Sequence, residues 1–316
     1  MKHSWLIGAM FCTFSVSAEP PNIDFGLPDH DLDIPKILSK IATTDSLECQ
    51  EVLELVPPAW TAPFGKLRLE GTIVPRLEVL TSPKSPDLEF RIHGIDSPEH
   101  HCKVAEFEWE SKDVDWLNTN FTKKVDPRYL PPGTEVKVGP GTPDFVPISE
   151  LPKFVPAAMV YSEEHGFYEN QGFSAHLIAR AMSRNQNEGQ IVTGGSTITQ
   201  QLVKNLFLTR DKTLERKFQE VVIATRVWQK VSKERVLELY LNCIEFGSGI
   251  WGIGPAARYY FAKDARDLTI TEAAFLAAIK PQPLQGELVR AGKLDLEESG
   301  LAATIQTIIR TIRRHE

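Results

Sequence analysis

The segment from Gly194 to Glu220, GGSTITQQLVKNLFLTRDKTLERKFQE, contains the side chains best suited to chemistry. On a helix with about 3.6 residues per turn, Thr197, Gln201 and Lys204 lie on one narrow stripe. The apolar residues around Leu202 cover the rest of the circumference, which would face a core. The pattern therefore predicts a helix that presents hydroxyl, amide and ammonium groups in a row.

The residues on either side of this helix favour binding of an anion. Gly194, Gly195 and Ser196 expose backbone N–H groups at the start of the helix, where anions bind readily. A group of cations follows the helix, at Arg210, Lys212, Arg216 and Lys217. Glu220 lies one turn after Arg216 on the same helix face. From the pattern alone, an amphipathic surface helix with solvated charges is the simpler interpretation.

The elements around this segment divide the chain into two patterns. Residues 46–140 contain short alternating runs (KLRLEGTIV, RLEVL, DLEFRIHGI and TEVKVG), which predict strands in a small β-rich module. A Gly-Pro-Gly-Thr-Pro run at residues 139–143 marks a boundary, and the period is helical from there to residue 316. The sequence therefore predicts a β-rich module at residues 19–140 and an all-helical domain at residues 141–316.

Capping signals place two further helices in the second domain. Ser232 is positioned to cap the helix SKERVLELYLN, and Thr269 with Glu272 forms a capping box at the start of TEAAFLAAI. Between them lies a GxGxxG pattern, at Gly247, Gly249 and Gly252. A dinucleotide site would require a strand before these glycines. Because helices are predicted on both sides, we interpret the glycines as positions of close helix packing.

The composition is that of an ordinary globular protein, with 42% hydrophobic and 24% charged residues among 316. A net charge of −7 argues against non-specific nucleic-acid binding, which requires a basic surface, but is compatible with a local basic cleft. Residues 1–18, MKHSWLIGAMFCTFSVSA, have the charged start, apolar run and small-residue end of a secretory signal. The apolar run is short for a membrane span, so we expect an exported protein, with an uncleaved anchor as the alternative.

Removal of the signal would leave Cys49, Cys102 and Cys243. Export permits a disulfide between Cys49 and Cys102, which the sequence leaves open, and we expect Cys243 to be buried in its helix. Histidines and a cysteine cluster in the β-rich module, at His93, His100, His101 and Cys102. Their spacing lacks the CxxC or HxxxH pattern of a zinc site, so we interpret the histidines as solvated loop residues.

The strings GGSTITQQLVKN and RKFQE, in this order and spacing, resemble the second and third motifs of the peptidoglycan glycosyltransferases, glycosyltransferase family 51. This family includes the polymerase domain of class A penicillin-binding proteins and the monofunctional enzymes. IEFGSGIWGIGPAARYYFAK and TEAAFLAAI resemble its fourth and fifth motifs. The resemblance covers about residues 145–285, and we expect a monofunctional enzyme without a transpeptidase domain.

The family's first motif, E-D-x-x-F-x-x-H-x-G, aligns with Glu163, Glu164, Phe167, Asn170 and Gly172. Two positions depart from it, because Glu164 replaces the aspartate and Asn170 replaces the histidine. Glu163 keeps the position that holds the catalytic base in the family. An asparagine can donate a hydrogen bond but cannot ionise, so a supporting role of the family histidine would be altered.

The resemblance implies a lysozyme-like helical domain that polymerises lipid-linked glycan, and with the β-rich module the expected fold class is α+β. A carboxylate must take the proton of the acceptor hydroxyl, and Glu163 is the candidate base. Glu220 is the second catalytic candidate, which would orient nearby cations or help to bind the donor. The pyrophosphate leaving group would be stabilised by cations, namely Lys204, Lys212, Arg216 and Lys217. Sugar or phosphate would accept or donate hydrogen bonds at Ser196, Thr197 and Gln201.

The resemblance also implies the substrates and the location. The donor would be a growing lipid-linked glycan and the acceptor lipid II, with release of undecaprenyl pyrophosphate. Both would lie at the outer face of the inner membrane, in contact with the periplasm, where cell-wall synthesis proteins are the implied partners and nucleic acid is not expected. Family members often use a divalent cation, Mg or Mn, on the pyrophosphate, but the sequence has no dedicated cage for one and no other cofactor is expected.

Two other functions stay open at this point. A glutamate pair in a lysozyme-like domain could hydrolyse glycan, although hydrolysis needs no phosphate-binding cations. A non-catalytic protein with a degenerate glycosyltransferase domain could bind precursors or act as a scaffold, and the departures at Glu164 and Asn170, with the β-rich module, keep this alternative open. The role of the β-rich module is not indicated by the sequence.

Overall fold

The computed structural model describes residues 14–16, 40, 45–74, 76–82, 85–93, 102–127, 129–131, 133–174, 195–209, 211 and 213–315. The chain forms two compact units, each assembled from three segments. The first unit contains Met1–Val114, Asn170–Gln200 and Leu208–Lys230. The second contains Asp115–Glu169, Gln201–Phe207 and Val231–Glu316. The domain division predicted between residues 140 and 141 rests on the sequence pattern and stays a prediction.

All strand pairs of the described chain are antiparallel. The strands are β1 (Phe14–Val16), β2 (Leu47–Glu48), β3 (Phe64–Glu70), β4 (Thr72–Ile73), β5 (Arg76–Ser82), β6 (Ser85–His93), β7 (Lys103–Trp109), β8 (Lys123–Val125), β9 (Val136–Val138), β10 (Glu245–Gly247) and β11 (Ile250–Trp251). The three-stranded sheet has the order β1-β6-β5, and the other sheets are the pairs β2-β4, β3-β7, β8-β9 and β10-β11. The predicted strand runs are thus confirmed as β3 to β6 and β9.

Most of the described α-helices lie after residue 150. They are α1 (Cys49–Leu53), α2 (Pro58–Thr61), α3 (Phe154–Glu163), α4 (Ile198–Phe207), α5 (Leu214–Lys230), α6 (Lys233–Cys243), α7 (Ile253–Phe261), α8 (Ile270–Ile279), α9 (Pro283–Arg290) and α10 (Leu301–His315). Helices together with separate small antiparallel sheets confirm the α+β class. No helix within the described ranges is both long enough and apolar enough to span a bilayer.

Within the first unit, a disulfide links two parts of the chain, and α2 packs against α5. Cys49 and Cys102 are bonded, with their Cα atoms 5.5 Å apart, which resolves the pairing that the sequence left open. The bond also removes Cys102 as a zinc ligand, whereas His100 and His101 lie outside the described residues. Trp60 of α2 is 1% exposed, and its ring centroid lies 5.9 Å from that of Phe218 in α5. Burying both rings stabilises this junction.

Polar contacts tie α5 to the same residues of the first unit. Gln219 Nε2 donates to the carbonyl oxygen of Trp60 at 3.3 Å. Arg226 Nη1 donates to the carbonyl oxygen of Val104 at 2.8 Å, and its Nε lies 3.0 Å from Asp113 Oδ1. Hydrogen bonds that involve a charged group are the stronger kind, so Arg226 is a firm attachment point of α5.

The second unit has a core of three helices. Helices α3, α8 and α10 pack against one another. Their contacting faces carry fully or almost fully buried side chains such as Met159, Leu276 and Ile308. The predicted caps are confirmed, because Ser232 Oγ accepts from Arg235 N and Thr269 forms the capping box with Glu272. Cys243 is a buried free thiol at the end of α6, as expected, and burial raises its pKa to about 12.

A short hairpin corrects the expectation that residues 141–316 contain helices alone. Strands β10 and β11 pair between α6 and α7, and the φ of Gly249 in their turn is 73°. Gly252 has a φ of 87°, and a Cβ there would lie 2.9 Å from the carbonyl oxygen of Asn242. The predicted role in close helix packing is therefore confirmed for Gly252, whereas Gly249 provides the conformation that the turn needs. Periodicity did not reveal the hairpin because its strands are only two and three residues long.

Candidate active site

Glu163 lies at the last position of α3 and is mostly buried, with its side chain 12% exposed. Its Oε2 accepts from Lys280 Nζ at 2.8 Å and from Gln201 Nε2 at 2.7 Å. Lys280 caps the C-terminus of α8, and Gln201 lies in α4. Among the described residues, no hydrogen bond reaches Oε1 of Glu163. One oxygen of this carboxylate is thus held by the protein, and no described residue donates a hydrogen bond to the other.

Gln201 is itself held in place by its neighbours. Its Oε1 accepts from Lys280 Nζ and, at 3.5 Å, from the hydroxyl of Tyr240. Tyr240 is fully buried in α6, and Lys280 Nζ lies 5.4 Å from the centroid of its ring. Because each group contacts two others, the orientation of the Gln201 amide is defined, with its nitrogen toward Glu163. We call Glu163, Gln201, Tyr240 and Lys280 the Glu163 cluster.

The charge state of the Glu163 cluster follows from its surroundings. Burial raises the pKa of Glu163, but the charge and hydrogen bond of Lys280, the hydrogen bond of Gln201 and the charge of Lys204 together lower it below its ordinary value. Burial, with the charges of Glu163 and Glu164, raises the pKa of Tyr240 well above its ordinary value. Glu163 is therefore ionised and Tyr240 neutral at pH 7, and an ionised carboxylate can accept a proton.

Glu220 belongs to a second cluster, in the first unit. Its side chain is 2% exposed, and both oxygens accept from cations of α5. Oε2 lies 2.5 Å from Arg216 Nη1, and Oε1 lies 2.5 Å from Lys217 Nζ. Gln200 Nε2 also donates to Oε1, at 3.2 Å. We call Gln200, Arg216, Lys217 and Glu220 the Glu220 cluster, which carries two positive charges and one negative charge.

Ser196 and Thr197, just before α4, contact the Glu220 cluster and cap the start of that helix. Ser196 is half-buried, and its Oγ accepts from Lys217 Nζ at 2.9 Å. Thr197 is the N-cap of α4, and it forms a capping box with Gln200. The hydroxyl of Thr197 also donates to the carbonyl oxygen of Gly172 at 2.7 Å. Thr197 is fully buried, so in this structure its hydroxyl holds the helix start in place.

The first-motif residues have structural roles that the sequence alone did not indicate. In the second unit, Phe167 is fully buried and Lys233 Nζ lies 4.5 Å above its ring. Burial lowers the pKa of Lys233 to about 8, against the opposing charges of Glu164 and Glu169. Glu164 is 2% exposed, so it is not the solvated loop residue that adjacent glutamates usually indicate.

Asn170 and Gly172 shape a turn in the first unit. Asn170 Oδ1 accepts from the backbone N–H of Gly172 at 2.8 Å. The φ of Gly172 is 87°, and a Cβ there would lie 2.3 Å from the carbonyl oxygen of Ala224 in α5. Glycine is therefore required at this position. Asn170 supplies one neutral acceptor to the turn, a role that needs no ionisable group.

The predicted site residues fall into both units. The Glu163 cluster contains Glu163 and Gln201, and Lys204 on α4 is half-buried and contributes to the lowered pKa. The Glu220 cluster contains Arg216, Lys217 and Glu220, with Ser196 beside it. Lys212 lies outside the described residues. Sequence reasoning missed Gln200, Tyr240 and Lys280. A cation directly after the apolar run of α8 was the signal that could have identified Lys280.

The donor set does not fit a divalent ion held by the protein. No group of three or more metal-ligating side chains occurs in the parts of the chain that the structure describes. Both oxygens of Glu220 accept from cations, and Oε2 of Glu163 does the same. A divalent ion prefers several oxygens without competing cations. We therefore assign it no step.

In the second unit, an ionised buried glutamate can take a proton from an attacking hydroxyl. In the first unit, two cations oriented by a glutamate can stabilise an anion. Residues 135–304 match the transglycosylase family, which is more than half of the 316-residue chain, and the chain belongs to that family. This agrees with the predicted family and with a helical lysozyme-like domain in an α+β chain. Residues 45–114 of the first unit lie outside the match.

Three relatives illustrate the similarity. The chain is 49% identical over 138 residues to penicillin-binding protein 1F of Bacillus subtilis, covering 44% of this chain and 19% of that protein. It is 43% identical over 139 residues to the biosynthetic peptidoglycan transglycosylase of Paraburkholderia xenovorans, covering 44% and 58%. It is 45% identical over 139 residues to penicillin-binding protein 1A of Aquifex aeolicus, covering 44% and 19%. The chain thus spans less than two thirds of each relative.

Proposed function

We propose that the chain is a peptidoglycan glycosyltransferase, which polymerises lipid II into glycan strands and releases undecaprenyl pyrophosphate. The observation that carries this proposal is the ionised Glu163, which is held on one oxygen and accepts no hydrogen bond from the described residues on the other. Membership of the transglycosylase family supports it. So does the relative of Paraburkholderia xenovorans, whose name describes a biosynthetic peptidoglycan transglycosylase.

Glu163 acts as the general base. The acceptor hydroxyl oxygen attacks the anomeric carbon of the donor, the bond from that carbon to the pyrophosphate oxygen breaks, and the hydroxyl proton passes to Oε1 of Glu163. Lys280 and Gln201 hold Oε2, so the carboxylate cannot rotate freely away from the acceptor. A base that is ionised before the substrate binds contributes about a hundredfold or more to such a step.

The leaving group is stabilised by cations. Pyrophosphate departs with its negative charge, which needs no separate general acid but benefits from positive groups. Arg216 and Lys217 supply these charges, and Glu220 orients both. Arginine can contact two phosphate oxygens at once, and Arg216 has a second terminal nitrogen for this purpose. Lys204 and Lys212 act in the same role.

We further propose that the protein acts in the periplasm at the outer face of the inner membrane, after export by residues 1–18. Its substrates are lipid II and lipid-linked glycan, and cell-wall synthesis proteins are its partners. Any divalent ion, Mg or Mn, is held by the pyrophosphate. No cofactor is assigned to the protein itself.

Hydrolysis of glycan is disfavoured by the charge state of Glu163. A glycosidase requires a protonated carboxyl group that donates a proton to the leaving oxygen. The pKa of Glu163 is lowered, so at pH 7 its carboxylate has no proton to give. A non-catalytic binding protein is the remaining alternative, and product analysis separates it from an enzyme.

The experiment is incubation of the full chain with labelled lipid II, followed by separation of the products. Polymer that a muramidase digests supports the proposal. Shortened preformed glycan would indicate a hydrolase, and retention of lipid II without any product would indicate a binding protein. Glu298→Gln, which changes a carboxylate on the exposed surface, is the matched control and should polymerise at the parent rate.

A further inference from the structure

Helix α10 has one buried face and one strongly basic face. Leu301, Ile305, Ile308, Ile309 and Ile312 are buried. The exposed face carries Gln306, Arg310, Arg313 and Arg314. At about 100° per residue, these four side chains fall within an arc of about 100°. We call them the α10 basic face, and all of it belongs to the second unit.

The arginines of this face lack the carboxylate partners that most other described arginines have. Within the described ranges Arg290 also lacks one, and its Nε donates to the carbonyl oxygen of Tyr259 instead. A carboxylate lies within 4.0 Å of each of six arginines elsewhere, Arg68, Arg216, Arg226, Arg235, Arg258 and Arg266. In the described part of the chain, Arg310, Arg313 and Arg314 have no such carboxylate. The chain has a net charge of −7, so acidic residues are in excess over basic ones. The helix dipole favours cations near a C-terminus, but it does not explain the absence of carboxylates.

The α10 basic face also borders a cavity of about 340 Å³. Of the described residues, Gln306, Ile309, Arg310, Arg313 and Arg314 line it. Guanidinium groups contact phosphate oxygens in pairs, and an amide adds a further donor. The end of the helix is anchored, because His315 stacks on Tyr161 of α3 with ring centroids 5.2 Å apart. The arginines thus lie on a fixed helix along one side of an open space that is large enough for an anion.

We propose that the α10 basic face binds phosphate-bearing headgroups at an anionic lipid surface. This inference rests on the proposed function, in which the substrates are carried by lipids. Charge complementarity favours this ligand, since each arginine near an anionic surface strengthens attachment by roughly fivefold. A nucleic acid is disfavoured, because three arginines on an acidic chain provide few phosphate contacts.

The test is sedimentation of the full chain with vesicles of phosphatidylcholine that contain about 30% phosphatidylglycerol, compared with phosphatidylcholine alone. The parent should bind the anionic vesicles preferentially, and added salt should weaken this binding. In the triple variant Arg310→Gln, Arg313→Gln, Arg314→Gln, the partition coefficient should fall about a hundredfold. The control variant Lys66→Gln, Lys124→Gln, Lys293→Gln changes the net charge by the same amount. Its partition coefficient should fall less than about threefold, because attachment depends on where the charges lie.

Each contrary outcome overturns the proposal. Equal binding to neutral vesicles, or equal losses in the two triple variants, would show that the α10 basic face is not the attachment site. A second arm separates a lipid headgroup from free phosphate. Binding of inorganic pyrophosphate that needs all three arginines, without binding to anionic vesicles, would show that the source is a free anion. Thermal unfolding of each variant checks that the fold is retained.

Polymerisation of lipid II in detergent separates this inference from the proposed function. With a non-ionic detergent, the α10 triple variant should match the parent, because the micelle supplies no bilayer of anionic headgroups for attachment. If the parent itself forms no polymer, the proposed function fails while the vesicle result still stands. A variant that is defective in detergent, yet binds vesicles like the parent, would contradict the inference and assign the arginines to the reaction.

Discussion

The two glutamate clusters differ in what surrounds the same functional group. In the Glu163 cluster, one oxygen is held by Lys280 and Gln201, which come from two different helices, and the other oxygen accepts nothing from the described residues. In the Glu220 cluster, both oxygens accept from cations one turn away on the same helix. The first arrangement leaves room for an incoming proton, whereas the second occupies the carboxylate with positive charge.

The clusters also differ in what supports them. Glu163, Gln201, Tyr240 and Lys280 all lie within the family match at residues 135–304. Helix α5, which carries Glu220, is attached to Trp60, Val104 and Asp113, outside that match. The residues of the base cluster thus all come from the shared helical domain. The cation pair depends also on a part of the chain that the family match does not include.

The largest expected effect is at Glu163. Glu163→Gln preserves shape but removes the proton acceptor, so polymerisation should fall at least about a hundredfold. Binding of the lipid-linked donor should change little, because the base acts on the acceptor hydroxyl. Initial rates and donor dissociation constants, measured side by side, check both parts. A variant that polymerises at the parent rate would exclude Glu163 as the base.

Glu220→Gln should affect binding as well as rate. Without the negative charge, Arg216 and Lys217 are no longer oriented and repel each other, so donor affinity should fall about tenfold. Donor titration and initial rates give the two quantities. The control is Glu297→Gln, because Glu297 lies on the exposed surface and its substitution should change neither quantity. Gln219 is buried, so Gln219→Glu is not a suitable control. Loss of rate with unchanged donor affinity would contradict the assigned role.

Lys280→Gln should change the pH dependence of polymerisation. The pKa of Glu163 lies below its ordinary value in the parent, so the base stays ionised and its stabilising ion pair persists until the pH falls through that lowered pKa. Burial without the lysine charge raises the pKa, and the acid limb should move up by about one unit or more. Rates between about pH 4 and pH 8 test this. Lys293→Gln is the control, and an unchanged acid limb would contradict the explanation.

Asp113→Asn should loosen α5 while leaving α3 unaffected. The pKa of Asp113 is raised by burial but lowered overall by its bonds to Arg226, so its contribution to stability is present at pH 7 and lost as the pH falls through the lowered pKa. We expect the free energy of unfolding to decrease by about 1–2 kcal/mol. Hydrogen exchange should rise in α5 and stay constant in α3. The exposed Asp267→Asn is the control, and equal exchange in α5 would mean that Asp113 does not support it.

The smallest expected effect is at Asn170. A neutral histidine can accept the N–H of Gly172 as Asn170 does, so Asn170→His restores the family residue without removing this bond. Activity should equal that of the parent or rise. A polymerisation assay at pH 7 measures this. A large loss would mean that the neighbouring turn does not admit the imidazole ring.

Local signals determined a considerable part of the structure. The alternating runs predicted strands β3 to β6 and β9, and the caps at Ser232 and Thr269 predicted where α6 and α8 begin. The spacing of Arg216 and Glu220 predicted their contact. These features depend on residues within one or two turns of each other, where backbone geometry alone sets the neighbours.

Tertiary packing decided which side chains meet over long distances in the chain. The helical stripe of Thr197, Gln201 and Lys204 was visible in the sequence, but packing buried Thr197 as a cap and placed Gln201 against Glu163. Gln201 is separated from Glu163 by 38 positions and from Lys280 by 79. Periodicity assigns a side chain to a helix face, but it does not state which other helix covers that face. The sequence by itself thus determined the family motifs and the candidate base, whereas the folded structure decided that Lys280 keeps this base ionised and that Cys49 pairs with Cys102.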